Sequence, residues 1–183
     1  MRVSLNALGA YLGLAFALAY GAFSIGTFRA GVSVYVDFLP YATFLWIPLM
    51  AVLLGVSGWI WRKRSGLEVF PFQRALQYAF LAYIVYELGY MLVNVVIYNI
   101  MDKGFNHAMQ LTSLEKRLGQ ELQYGGKADG MTTDQLAQEK AHPSGPFTFL
   151  QLSLGLGYGL VKDFVLSMLI ALAIRRKSYL RVR

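Results

Sequence analysis

Cysteine is absent from the chain, so neither a disulfide framework nor thiol chemistry can enter its function. Histidine is almost as scarce: His107 and His142 have acidic neighbours, but their spacing fits no zinc pattern. Charge is thin, with charged residues making up 15% of positions and 10 acidic residues set against 17 basic ones. The hydrolytic signatures Gly-x-Ser-x-Gly, His-Glu-x-x-His and Gly-x-Gly-Asp are missing. Gly155-x-Gly157-x-Gly159 neither follows a strand nor opens a helix, which excludes a nucleotide loop, and Gly157-Tyr158-Gly159 lacks the threonine and valine of a potassium filter. These absences point away from an enzyme and offer no catalytic residue, metal site or cofactor.

What the chain has in quantity is apolar length. Hydrophobic residues fill 56% of its 183 positions, the mean hydropathy is +0.45, and the apolar residues gather in runs, as in an integral membrane protein. About 20 apolar residues cross the hydrocarbon as a helix, because lipid cannot hydrogen-bond a free backbone. Four runs meet that length, at about residues 5–27, 38–61, 72–100 and 146–174. The expected fold is all-α, a single membrane domain over residues 1–183 built as a four-transmembrane-helix bundle. The first run follows Met1 and Arg2 and contains Ala15-Phe16-Ala17, yet it is long for a signal-peptide core and is expected to be retained.

The net charge of +7 reads as topology rather than as nucleic-acid binding, because of where the charges fall. Arg2, Arg62, Lys63, Arg64, Arg74, Arg175, Arg176, Lys177, Arg181 and Arg183 flank the runs on one side, opposed by Glu68 alone. On the other side Arg29, Lys103, Lys116, Arg117, Lys127 and Lys140 are diluted by seven acidic residues. The positive-inside rule then puts both termini in the cytoplasm of a multi-pass inner-membrane protein, with anionic lipid headgroups as partners and no nucleic acid. Residues 29–37 are expected to form a short outer loop. Residues 102–145 make the only sizeable polar segment. In it Leu111, Leu114, Leu118 and Leu122 recur at helical spacing, Gly125-Gly126 interrupts, and Thr132 with Gln135 resembles a capping box. An extracytoplasmic, periplasmic helical hairpin is expected between spans three and four.

Several stretches carry a family resemblance. The run FPFQRALQYAF (70–80), the span end IYNIMDKGF (97–105), the hairpin's GMTTDQLAQE (130–139) and a last span that opens near Pro146 and closes on IRRK (174–177) resemble a bacterial family of unknown function, domain of unknown function 4199. The resemblance implies a four-span inner-membrane protein with an extracytoplasmic insert, and a lipid-linked glycosyltransferase as a partner. It implies no activity and no catalytic residue.

Three charges lie inside the spans. Glu87 stands thirteen residues beyond Arg74, and Lys162 thirteen residues before Arg175. Both are therefore about 20 Å above the inner boundary, within a hydrocarbon layer about 30 Å thick. A charge facing lipid there costs on the order of 3 kcal/mol, so the group must face protein or water. Tyr83, Glu87, Tyr90, Asn94 and Tyr98 fall within roughly 80° of arc, and Gln151, Gly155, Tyr158 and Lys162 within roughly 60°. These stripes are expected to face each other, with Gly155 and Gly159 letting the backbones approach. Asp163, about 100° further round, is expected to face another helix or another subunit. Gly9, Gly13, Ala17 and Gly21 form a small-residue ridge for packing within the bundle or between protomers.

Two functions fit. One is a non-catalytic membrane subunit or scaffold that binds another membrane protein or forms a homo-oligomer. The other is a small proton-coupled or solute transporter using Glu87, Lys162 and Asp163. A transporter needs a cavity reaching these charges; a subunit needs them packed dry.

Overall fold

The computed structural model describes residues 4–66, 70–125 and 130–175. Of the charges used above for topology, Arg2, Glu68, Lys127, Asp129, Arg176, Lys177, Arg181 and Arg183 lie outside the described residues, as does Gly126. The fold is all-α. Its helices are α1 (Leu5–Ala30), α2 (Val32–Ser65), α3 (Phe72–Val95), α4 (Phe105–Gly125), α5 (Gly130–Ala141) and α6 (Phe149–Ile174). A π-helical segment, Val96–Met101, prolongs α3. Four stretches are long and apolar enough to cross a membrane: Leu5–Ala30, Phe44–Ser65, Phe72–Met101 and Phe149–Ile174.

Local sequence sets the ends of these helices. The Ser4 hydroxyl accepts from the Ala7 amide at 3.2 Å and starts α1. Thr148 and Gln151 close a capping box at the head of α6, where the Thr148 amide donates to the Gln151 side chain at 2.9 Å. The last span thus begins after Pro146 and Phe147 rather than at residue 146. The outer loop expected at 29–37 does not exist. Gly31 alone, at φ 112°, turns the chain, and α2 starts at Val32. With 34 residues, α2 is about 51 Å long, well beyond a hydrocarbon layer of about 30 Å. Its first turns instead lie against α4, where the Lys116 ammonium donates to Asp37 at 2.7 Å and to the Ser33 hydroxyl at 2.9 Å.

In the bundle, α3 packs on α1 and on α6, while α2 packs on α1 and on α6, so α2 and α3 stand on one diagonal. The main core gathers Phe16, Tyr20, Met50, Leu54, Tyr78, Ala82, Tyr83 and Ile170, among others. At one end α2 and α6 are tied together. Gly58 sits under Ile174, and the Arg62 guanidinium donates to the Ile174 carbonyl, capping the negative end of α6. Across the diagonal, the Tyr78 hydroxyl donates to the Leu54 carbonyl at 3.1 Å.

The small-residue ridge of α1 packs within the chain. A Cβ added at Gly9 would stand 2.5 Å from the Tyr78 carbonyl oxygen. At Gly13 it would collide with the Ala82 carbonyl, and at Gly21 it would meet the Val93 side chain at 3.1 Å. Gly89 on α3, which sequence reasoning passed over, reciprocates by receiving the Ala17 methyl. Carbonyls of α3 thus occupy the volume that α1 side chains would fill.

Helices α4 and α5 pair antiparallel: the Thr132 hydroxyl donates to Glu121 at 2.8 Å, while His107 Nδ1 and Glu139 Oε1 meet at 2.7 Å. Thr132 is fully buried inside α5, which begins two residues earlier at Gly130, so it ties the helices together rather than capping one. Glu139 is the centre of a clamp. It also accepts from the Ser144 amide at 2.8 Å and from the Ser144 hydroxyl at 2.7 Å. Burial pushes the Glu139 carboxyl up, but the hydrogen bonds from His107 and Ser144 and the attraction of His107 outweigh it and hold the group below its ordinary range. A carboxyl with a depressed folded pKa stabilises the folded state above its unfolded pKa of about 4.3, and that contribution is lost as pH falls through the lower folded value. Hydrogen exchange should accordingly show α5 amides losing protection on acidification below that unfolded value, while those of α1 hold. The Glu139→Gln variant should show no such acid step.

Candidate functional site

Glu87 projects from α3 onto the face of α6 that carries Gly159 and Asp163, two residues one turn apart. A Cβ added at Gly159 would stand 2.8–2.9 Å from all three atoms of the Glu87 carboxyl group. The carboxylate occupies the space that any larger residue would claim. Lys162 Nζ donates to Glu87 Oε1 at 3.4 Å and lies 3.6 Å from Asp163 Oδ1. The two acidic side chains are 6% and 1% exposed and the lysine 36%, so one half-open ammonium serves two buried carboxyl groups.

Asp163 departs from expectation. It faces α3 beside Glu87, not another helix or subunit. The reason lies in the i, i+4 relation to Gly159: both residues share the face that packs on α3, while the long Lys162 stem carries its charge round from the side. Asp163 Oδ1 has the Lys162 ammonium as its ion-pair partner, and the Asp163 carboxyl lies within hydrogen-bonding reach of the Glu87 carboxyl group. Tyr83 is fully buried in electrostatic reach of Asp163, and its hydroxyl lacks a hydrogen-bond partner.

Beside the charges the helices leave space. A cavity of about 280 Å³ is lined by all four spans: Tyr20 from α1, Ile47 from α2, Tyr86, Glu87 and Tyr90 from α3, and Gly155, Tyr158, Gly159 and Lys162 from α6. A second cavity of about 140 Å³ lies between α3 and the head of α6, with Asn94, Phe147 and Gln151 in its lining; it shares Glu87, Tyr90 and Gly155 with the first. Three rings wall the larger space, with Tyr20 and Tyr90 centroids 4.9 Å apart, Tyr20 and Tyr86 6.2 Å, and Tyr86 and Tyr90 6.3 Å.

The stripes therefore meet over only part of their length. Gly155 does not bring backbones together: nothing lies within 4 Å of a Cβ built there, and it borders both cavities. Tyr158 is 78% exposed and stands at the rim, and Gln151 is engaged in the helix cap. At the far end of the stripe Tyr98 packs its ring on Phe147, with centroids 4.8 Å apart, and donates its hydroxyl to Tyr35 at 3.0 Å, while the Asn99 amide donates to the Phe147 carbonyl at 2.8 Å. Tyr20 and Tyr86 were missed from sequence. Tyr20 continues the Gly13–Ala17 face by helical spacing, and that is the signal that could have found it. Among the described residues no group of three or more His, Cys, Asp or Glu side chains is placed to hold a metal ion.

A family model described as "Protein of unknown function (DUF4199)" matches residues 11–176. The chain belongs to the DUF4199 family. The match takes in the first span from residue 11, the other three spans whole and the helical pair between the third and fourth, so the charge cluster and both cavities lie within the DUF4199 region. No curated protein and no solved structure matches the chain.

Proposed function

We infer that this DUF4199 protein is a small solute carrier of the membrane, working through Glu87, Lys162 and Asp163. The observation that supports this reading is the cavity of about 280 Å³ walled by four spans with Glu87 and Lys162 in its lining. A clasp that merely fixed helix register would serve best closed over its charges. Orientation follows from the basic ends: Arg62, Lys63 and Arg64 close α2 beside the end of α6. By the positive-inside rule this is the cytoplasmic side of an inner membrane, with the α4–α5 hairpin extracytoplasmic.

The second reading is a non-catalytic subunit bound to another membrane protein, such as a lipid-linked glycosyltransferase, or to its own copies. It is favoured by the outward face of α6, where Tyr158 at 78% exposure brings a hydroxyl between exposed Leu154 and Val161. Reconstitution into liposomes separates the two. Uptake of amines, amino acids or sugars down their gradients is expected with the natural protein and should vanish with Glu87→Gln. If no solute passes faster than in empty vesicles, and native mass spectrometry finds a constant second subunit, the carrier reading falls to the subunit reading.

A further inference from the structure

The lining of the larger cavity has a particular chemistry: four tyrosines with the Glu87 carboxylate and the Lys162 ammonium, and the Asp163 carboxyl next along α6. We propose that it binds a small organic cation, an alkylammonium or arylammonium ion, and that the Lys162 ammonium is a tethered competitor for the same place. This rests on reading the cavity as a solute site. The local chemistry selects the ligand: a monocation can take the place of the ammonium beside Glu87 and Asp163, whereas an anion there would meet carboxyl groups.

Geometry makes the lysine displaceable. Its contacts at 3.4 and 3.6 Å are long beside the roughly 2.7–2.9 Å of a firm charge-assisted bond, and it is 36% exposed. Tyr86, Tyr90 and Tyr20 all line the space, and a cation seated against a tyrosine face gains cation–π attraction, strongest where water is excluded. Tyr20 closes the wall: it lines the cavity and is 3% exposed. A volume of about 280 Å³ sits at the small end of ligand pockets, which fits a compact ion.

Isothermal titration of the full chain in detergent micelles tests this, with benzyltrimethylammonium as the cationic probe and phenylacetate as an anion of similar size. The cation should bind and phenylacetate should not. Glu87→Gln should weaken cation binding about tenfold or more, and Lys162→Met should tighten it about tenfold, because no resident ammonium then has to be displaced. Tighter binding cannot come from failure to fold. Should Lys162→Met not fold, Tyr90 decides: Tyr90→Phe should keep affinity, while Tyr90→Leu should lose several-fold. Preference for phenylacetate, absence of cation binding, or weaker cation binding in Lys162→Met would overturn the proposal; so would equal affinity in Tyr90→Phe and Tyr90→Leu. Binding without flux in liposomes removes the carrier reading and leaves the ligand class standing. Flux of an uncharged or anionic solute without cation binding does the reverse.

Discussion

Replacing Gly13 with alanine is expected to destabilise the bundle, and replacing it with valine to prevent its assembly. The added Cβ would collide with the Ala82 carbonyl, a backbone atom held by the hydrogen bonds of α3 that cannot swing aside as a side-chain tip can. Either the helices separate over several turns, losing the contacts of Gly9, Ala17 and Gly21 together, or α3 distorts. Overpacking a core costs about 1–3 kcal/mol where neighbours give way, and here they do not, so the valine variant belongs at or beyond that range. Gly26 supplies the control. It lies on the same helix with nothing within 4 Å of an added Cβ. There alanine should stabilise by roughly 0.5–1 kcal/mol through helix propensity. Opposite signs at two glycines of one helix, measured by denaturant unfolding in micelles, are the expected result. If Gly13→Ala and Gly26→Ala unfold alike, α1 does not sit on α3 as described.

The parts of the molecule that were legible from sequence share a physical basis. A span is announced by the cost of unsatisfied backbone in lipid, and that cost is paid residue by residue along the chain. Height is equally countable, at about 1.5 Å per residue, which is how Glu87 and Lys162 could be matched across two helices before any contact was known. Azimuth is less secure. Counting at about 100° per residue holds only while the helix stays α, and from Val96 to Met101 the chain is π-helical, so that count does not fix where Tyr98 points. Side-chain length adds a second error. The face of α6 was assigned from Lys162, whose charge sits far from its Cα, whereas Gly159 and the short Asp163 mark the face that touches α3. Empty space is the hardest to foresee: Gly155 signals close packing in one setting and an open cavity in another, and only the divergence of its neighbours decides. The turn at Gly31 was hidden for a related reason, since one residue at positive φ replaces the loop that polar residues on either side had suggested.

Lys162→Met is expected to be the most damaging single change at the charge cluster, and the asymmetry follows from the count of charges. Removing the ammonium leaves Glu87 and Asp163, 6% and 1% exposed, facing each other without a counter-ion. Breaking a buried pair in this way costs about 3–5 kcal/mol. Glu87→Gln or Asp163→Asn instead leaves one ammonium with one carboxylate and should cost less. The position of Asp163 also changes what paired neutralisation means. Glu87→Gln with Lys162→Met still leaves Asp163, 1% exposed, without the ammonium beside it, so stability should return fully only when Asp163→Asn is added. Thermal unfolding in micelles should therefore rank Lys162→Met lowest, the double variant above it, and the triple variant nearest the natural protein. Flux should not follow that ranking. In a carrier the charges bind solute, so every variant loses transport whatever its stability; a triple variant that both folds and transports would reduce the cluster to a clasp between α3 and α6.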